Sequence, residues 1–183
     1  MEEGTVYFRD GNLITESGDA KVYRMNDEMF LEVGPGHNLV AKENDLIDYI
    51  WQISDKPYGD CLIIGLGLGI SSGYILSVPN VKSLTTIEEN PNVIEVQAEV
   101  NKIEDGRFKI IHGEVLPYLY KTKDRFDFVY LDCYSYIDED TLPLIADIVA
   151  GAKRTLKPNG LVSGWLDSNT PEVFVEYFFK IFQ

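Results

Sequence analysis

Glycine recurs at every second position in Gly65-Leu66-Gly67-Leu68-Gly69, directly after the apolar run Cys61-Leu62-Ile63-Ile64. Such a run suits a parallel strand covered on both faces. Glycines after it let the chain turn sharply and let a ligand approach closer than any Cβ would permit. Glu88, with Glu89 beside it, closes the next strand-like stretch, 23 positions after Gly65. An acid about 20 residues beyond a strand-end glycine turn is placed to accept hydrogen bonds from both ribose hydroxyls of a nucleotide. The dinucleotide pattern is not met, because its third glycine would fall on Ile70. Glycines at alternate positions suit a nucleoside without a pyrophosphate. Two further strand-like runs end in acids, at His112-Gly113-Glu114 and at Asp132-Cys133-Tyr134-Ser135. Glu114 is placed to accept from an adenine amino group. Asp132 is expected to face the glycine turn and is the best candidate for a general base. Tyr134, Ser135 and Trp165 are candidates for the wall of a substrate pocket. His37 and His112 are far apart in sequence and have no ligand partners in register, so no metal is expected.

These residues need a scaffold that brings strand ends together, and the pattern after residue 45 supplies one. Leu46, Ile47, Ile50, Trp51 and Ile53 recur with helical spacing. Strands are expected at 61–64, 83–87, 108–111, 128–131 and 161–165, the last entered through the turn Lys157-Pro158-Asn159-Gly160. Helices are expected from Gly69 to before Pro79, from Pro91 onward, at 115–120, at 142–156 and from Thr170-Pro171-Glu172 onward. Regular alternation of this kind means an α/β, Rossmann-like, doubly wound and mostly parallel sheet with right-handed crossovers. Ligands of such sheets bind beyond the carboxyl ends of the strands, where the strand order reverses. Before residue 45, β-rich runs at 5–8, 13–15, 21–25 and 29–33 are separated by Asp10-Gly11-Asn12, Ser17-Gly18-Asp19 and Asn26-Asp27, and Gly34-Pro35-Gly36 closes the series. That is an antiparallel meander, too small to stand alone. The expected division is a β-rich appendage over 1–44 and a nucleoside-binding domain over 45–183.

The 183 residues carry 16 basic and 30 acidic side chains, a net charge of −14. A nucleic-acid backbone would be repelled by most faces of such a molecule, so nucleic acid is not an expected partner. No apolar run reaches the roughly 20 residues that span a bilayer. The start Met1-Glu2-Glu3-Gly4 lacks the basic and apolar regions of a secretory signal. Cys61 and Cys133 fall within expected buried strands and outside any metal-ligand spacing. A cytoplasmic location is the expectation.

From about residue 20 to 166 the chain resembles the class I S-adenosylmethionine-dependent methyltransferases, and within them the spermidine synthase-like branch. The resemblance rests on residues 61–69, on Ile87-Glu88, on Gly113-Glu114-Val115, on residues 126–132 and on Leu156-Lys157-Pro158-Asn159-Gly160. It implies S-adenosylmethionine, or its decarboxylated form, held by Gly65, Leu66, Gly67, Gly69, Glu88, Glu89, Glu114 and Asp132. It also implies a β-rich N-terminal appendage. Spermidine synthases carry acids at the positions matching Leu68 and Ser135, and their last two strands have no match here.

The expected function is therefore an S-adenosylmethionine-dependent transferase, in first place a methyltransferase acting on a small molecule. Aminopropyl transfer from decarboxylated S-adenosylmethionine is the second reading, expected to be absent or about a hundredfold weak without the acids at 68 and 135. A non-catalytic nucleoside-binding subunit is the third. The strand at 161–165 is expected to be an apolar sheet edge, buried in a homodimer or under the N-terminal meander.

Overall fold

A computed structural model describes residues 11–35, 38–53, 56–167 and 169–183. Four strands come first: β1 (Asn12–Ser17), β2 (Ala20–Met25), β3 (Glu28–Val33) and β4 (Asn38–Lys42). They form an antiparallel sheet in the order β1-β2-β3-β4. Asn26 and Asp27 both adopt left-handed backbone in the β2–β3 turn, as a two-residue hairpin requires. The sequence pattern gave no sign of β4, which lies beyond Gly34-Pro35-Gly36 and pairs Phe30 with Lys42 and Leu31 with Ala41. The expected strand at 5–8 and His37 lie outside the described residues.

Helix α1 (Asp45–Ile53) leads into the alternating part: β5 (Gly59–Ile64), α2 (Ile70–Ser77), β6 (Val81–Glu88), α3 (Pro91–Val100), β7 (Phe108–His112), α4 (Val115–Lys121), β8 (Phe126–Leu131), α5 (Leu142–Arg154), β9 (Leu156–Gly164) and α6 (Glu172–Phe182). The five strands β5–β9 are parallel, in the order β7-β6-β5-β8-β9. The chain builds outward from β5 to one side through β6 and β7, then returns to build the other side. The order thus reverses between β5 and β8, and the crevice beyond their carboxyl ends is where this topology accepts ligands.

Cys61, Leu62, Ile63 and Ile64 of β5 and Phe128, Val129, Tyr130 and Leu131 of β8 are buried, so the two central strands form the core between helices on both faces. The antiparallel sheet does not stand alone. Ala20, Val22, Met29 and Leu31 pack on Leu66, Leu68, Val93 and Val96, fixing that sheet over the glycine turn and α3. Polar contacts lock the register, as Asp19 Oδ1 accepts from Asn90 Nδ2 at 3.0 Å and from Asn92 Nδ2 at 2.9 Å.

Three expectations change. Among the described side chains of α1, those of Asp45, Tyr49 and Ile53 are buried, one stripe at four-residue spacing, whereas Leu46, Ile47 and Ile50 are exposed. Strand β9 begins at Leu156. The segment 157–160 is an excursion within it, with Phe126 opposite Leu156, Phe128 opposite Leu161 and Asn159 in left-handed backbone. The N-terminal sheet packs on the α3 side, so it does not cover β9, whose Leu161 is 46% exposed at the sheet edge. Among the described residues, no helix is long and apolar enough to cross a membrane.

Candidate functional site

The glycine turn begins at the end of β5, and all three glycines need left-handed backbone, with φ of 97°, 51° and 76°. Their reasons differ. A Cβ on Gly65 would lie 2.1 Å from the carbonyl oxygen of Asp132, so this glycine lets the ends of β5 and β8 come together. A Cβ on Gly69 would lie 2.7 Å from Gln97 Nε2, so Gly69 serves the packing of α3 and lines neither of the two cavities at the site. Gly67 lies against Ala41 of β4, and with Gly65 and Leu66 it lines the larger cavity. Leu68 is buried in the apolar contact under the N-terminal sheet and lines neither cavity.

That larger cavity, of about 470 Å³, extends from the glycine turn to Glu88, Glu89, Glu114 and Asp132, with Leu116, Pro117, Leu144 and Ile148 as apolar wall and Leu31, Val33 and Val40 above. The Glu88 carboxylate is fixed from two directions: the Leu66 N–H donates to Oε2 at 3.0 Å and the Asn90 N–H to Oε1 at 2.8 Å. Burial raises its pKa while these two N–H groups oppose the rise. Each carboxylate oxygen keeps a lone pair free of those bonds, so Glu88 can still accept from a diol. Glu114 is the exposed N-cap of α4, its side chain making no cap bond, and Glu89 is also exposed. This donor and acceptor set, an apolar slot between a fixed carboxylate and a free one, fits an adenine nucleoside.

Asp132 stands at the end of β8, its N–H donating to Ile64 O at 2.8 Å. Tyr49 Oη, from the buried stripe of α1, donates to Asp132 Oδ1 at 3.2 Å. Burial, to which the charge of Asp45 adds, pushes Asp132 up to about 6, with the Ser71 and Tyr49 hydroxyls opposing. Tyr134 donates its hydroxyl to Trp165 O at 2.8 Å and its ring lies against Trp165 and Phe178. Cys133, expected within a buried strand, is exposed, because β8 ends at Leu131 and Cys133 lies in the loop at the cavity wall.

A second cavity, of about 180 Å³, adjoins the first, and Val40, Asp132, Tyr134 and Ser135 line both. Trp165 lines the second alone, and its buried indole N–H has no partner among the described residues. Three carboxylates join Asp132 there: Asp45 and Asp48 from α1, and Asp167 beyond β9. Asp45 is buried, which raises it to about 6 against the opposing Lys42 N–H and ammonium. Tyr49, Asp45, Asp48 and Asp167 were not singled out from the sequence. No local motif marks them, since they come from two elements more than a hundred positions apart. Among the described residues, no group of three or more His, Cys, Asp or Glu side chains is arranged to hold a metal ion.

The fold is similar to that of solved spermidine synthases. The structure of spermidine synthase from Thermotoga maritima superposes with a TM-score of 0.68 at 18% identity, covering 93% of this chain and 60% of that one. A spermidine synthase in complex with the transition-state analogue AdoDATO gives the same score and identity, covering 92% and 60%. In sequence, the polyamine aminopropyltransferase of Escherichia fergusonii is 27% identical over 108 residues, 56% of this chain and 38% of that protein. The polyamine aminopropyltransferase of Shigella boydii serotype 4 is 26% identical over 106 residues, 55% and 37%. The matched region thus spans well under half the length of these relatives. No family model matches the chain.

Proposed function

We propose that this chain transfers an aminopropyl group from decarboxylated S-adenosylmethionine to a linear amine. The observation that carries this reading is the cavity lined by Asp45, Asp48, Asp132 and Asp167, which opens onto the nucleoside cavity at Asp132. An amine acceptor is a cation at neutral pH and needs a carboxylate wall. Methyl transfer to a small molecule is the first reading of the sequence, and a neutral acceptor of that kind would have no use for four carboxylates. The relatives named polyamine aminopropyltransferases point the same way.

An adenosyl sulfonium supplies a carbon made electrophilic by the positive sulfur, and a neutral thioether nucleoside as leaving group. The chain's own residues then have three tasks. Glu88 and the glycine turn fix the nucleoside, so that the carbon next to sulfur points to the shared wall. Asp48 and Asp167 hold the cationic amine, and Asp45 adds negative charge to the same wall. Asp132, with Tyr49 orienting its carboxylate, accepts the proton that the ammonium must lose. The freed nitrogen lone pair forms the N–C bond as the C–S bond breaks, and the proton leaves Asp132 to solvent. Positioning of this kind and a general base each contribute to rate, the base typically about 10²–10⁴-fold.

Leu68 and Ser135 stand where the resembling synthases carry acids, which is why the sequence places this activity second. In this fold Asp45, Asp48 and Asp167 supply negative charge from other positions. The test is incubation of the protein with decarboxylated S-adenosylmethionine and 1,4-diaminobutane, following methylthioadenosine. Turnover that falls at least tenfold in Asp167→Asn is expected. Methylation of an acceptor by S-adenosylmethionine, with no methylthioadenosine formed from the decarboxylated compound, would overturn the reading.

A further inference from the structure

Among the described residues lining the acid cavity, one is basic. Lys42 ends β4, and its backbone N–H donates to Asp45 Oδ2 at 3.0 Å. Its ammonium lies 3.9 Å from Asp45 Oδ1, with 46% of the side chain exposed. The other charged residues of that lining are Asp45, Asp48, Asp132 and Asp167. Asp45 is the most buried of the lining acids and the one with a cation already beside it. A linear polyamine entering toward Asp132 carries an ammonium every few carbons. An ammonium that reached Asp45 would meet the Lys42 charge at the same carboxylate, and like charges brought together repel. Among the described residues, neither Asp48 nor Asp167 forms an ion pair with a base.

We infer that Lys42 is a specificity-determining residue: it occupies the Asp45 end of the acid cavity as a resident ammonium, so that the acceptor is a linear diamine and a triamine is disfavoured. One acceptor nitrogen lies at Asp132 and the other takes the carboxylates that Lys42 leaves open. The inference rests on the reading of this cavity as an amine site. It adds that the charge of the acceptor, and not only its length, is set by a side chain of the N-terminal sheet.

The experiment is calorimetric binding of 1,4-diaminobutane and of its N-(3-aminopropyl) triamine to the full chain saturated with methylthioadenosine. Parent protein, Lys42→Met, Lys42→Gln and Lys42→Arg are compared. The parent is expected to favour the diamine. Either neutral variant is expected to shift the affinity ratio toward the triamine by on the order of fivefold, the upper end for a partly exposed charge pair. Lys42→Arg is expected to keep the parent ratio, which a merely structural role for the lysine stem would not separate from Met or Gln. An unchanged ratio in both neutral variants, with both amines still bound, overturns the role of Lys42 alone. Failure of the parent to bind either amine overturns the amine-site reading and the inference with it.

Discussion

Asp132→Asn is expected to stabilise the fold while removing turnover, and the sign follows from where the carboxyl titrates. Its ordinary value is 3.8, and burial lifts it to about 6 in the folded chain. Between those values the folded carboxyl keeps its proton while the unfolded one has lost it. The folded state then binds more protons than the unfolded state, so stability falls as pH rises through this window and levels off above about 6. A shift of about two pH units corresponds to about 3 kcal/mol at most. Asp132 keeps some contact with solvent through the two cavities, which reduces the figure to about 1–2 kcal/mol. Asparagine has no charge to desolvate and can still accept from Tyr49. At pH 8 the variant is expected to be more stable than the parent by that amount, a rise in Tm of roughly 2–8 °C for a chain of this size. Below about pH 3 the difference should vanish, since the parent carboxyl is then neutral in both states. Asp45 titrates in the same window, so the quantity to follow is the difference between the two proteins in urea or thermal unfolding from about pH 3 to 8. A variant less stable than the parent at pH 8, or a difference that does not change with pH, would refute the reasoning.

Glu88→Ala removes the acceptor for the Leu66 and Asn90 N–H groups as well as for a ligand diol. Calorimetry with methylthioadenosine is expected to show binding weakened by about 1–3 kcal/mol; unchanged affinity would place the nucleoside elsewhere. Gly65→Ala puts a Cβ 2.1 Å from the Asp132 carbonyl at a φ of 97°. It is expected to cost stability in urea unfolding by about 1–3 kcal/mol or more, and a variant as stable as the parent would contradict the close approach of β5 and β8.

The sheet and its helices were legible because each rests on a local pattern. The buried runs at 61–64 and 128–131, Pro91 opening α3 and Glu88 ending β6 all show in the chain itself. What escaped depends on packing between distant segments. The helical spacing at Leu46, Ile47 and Ile50 pointed to one face of α1, but contact with α2 and with the end of β8 buries the stripe of Asp45, Tyr49 and Ile53. Two polar residues interrupt the apolar signal of that stripe, and they are the ones that reach the site. Strand β4 is short and follows a Gly-Pro-Gly punctuation, so its pairing with β3 shows only in the sheet. That Glu88, Glu114 and Asp132 line one cavity was readable because these acids follow strands of one sheet. The acid cavity was not, because its carboxylates come from a helix start and a loop, where acids are ordinarily solvated.

The central claim is that a cationic amine lies at Asp132 beside the bound nucleoside. A crystal structure of the protein with methylthioadenosine and 1,4-diaminobutane tests it most directly. The account predicts an amine nitrogen within hydrogen-bond distance of Asp132, the ribose hydroxyls on Glu88, and the second nitrogen among Asp48 and Asp167. A nucleoside bound away from Glu88, or a diamine seated on the surface with the acid cavity holding only water, would contradict it.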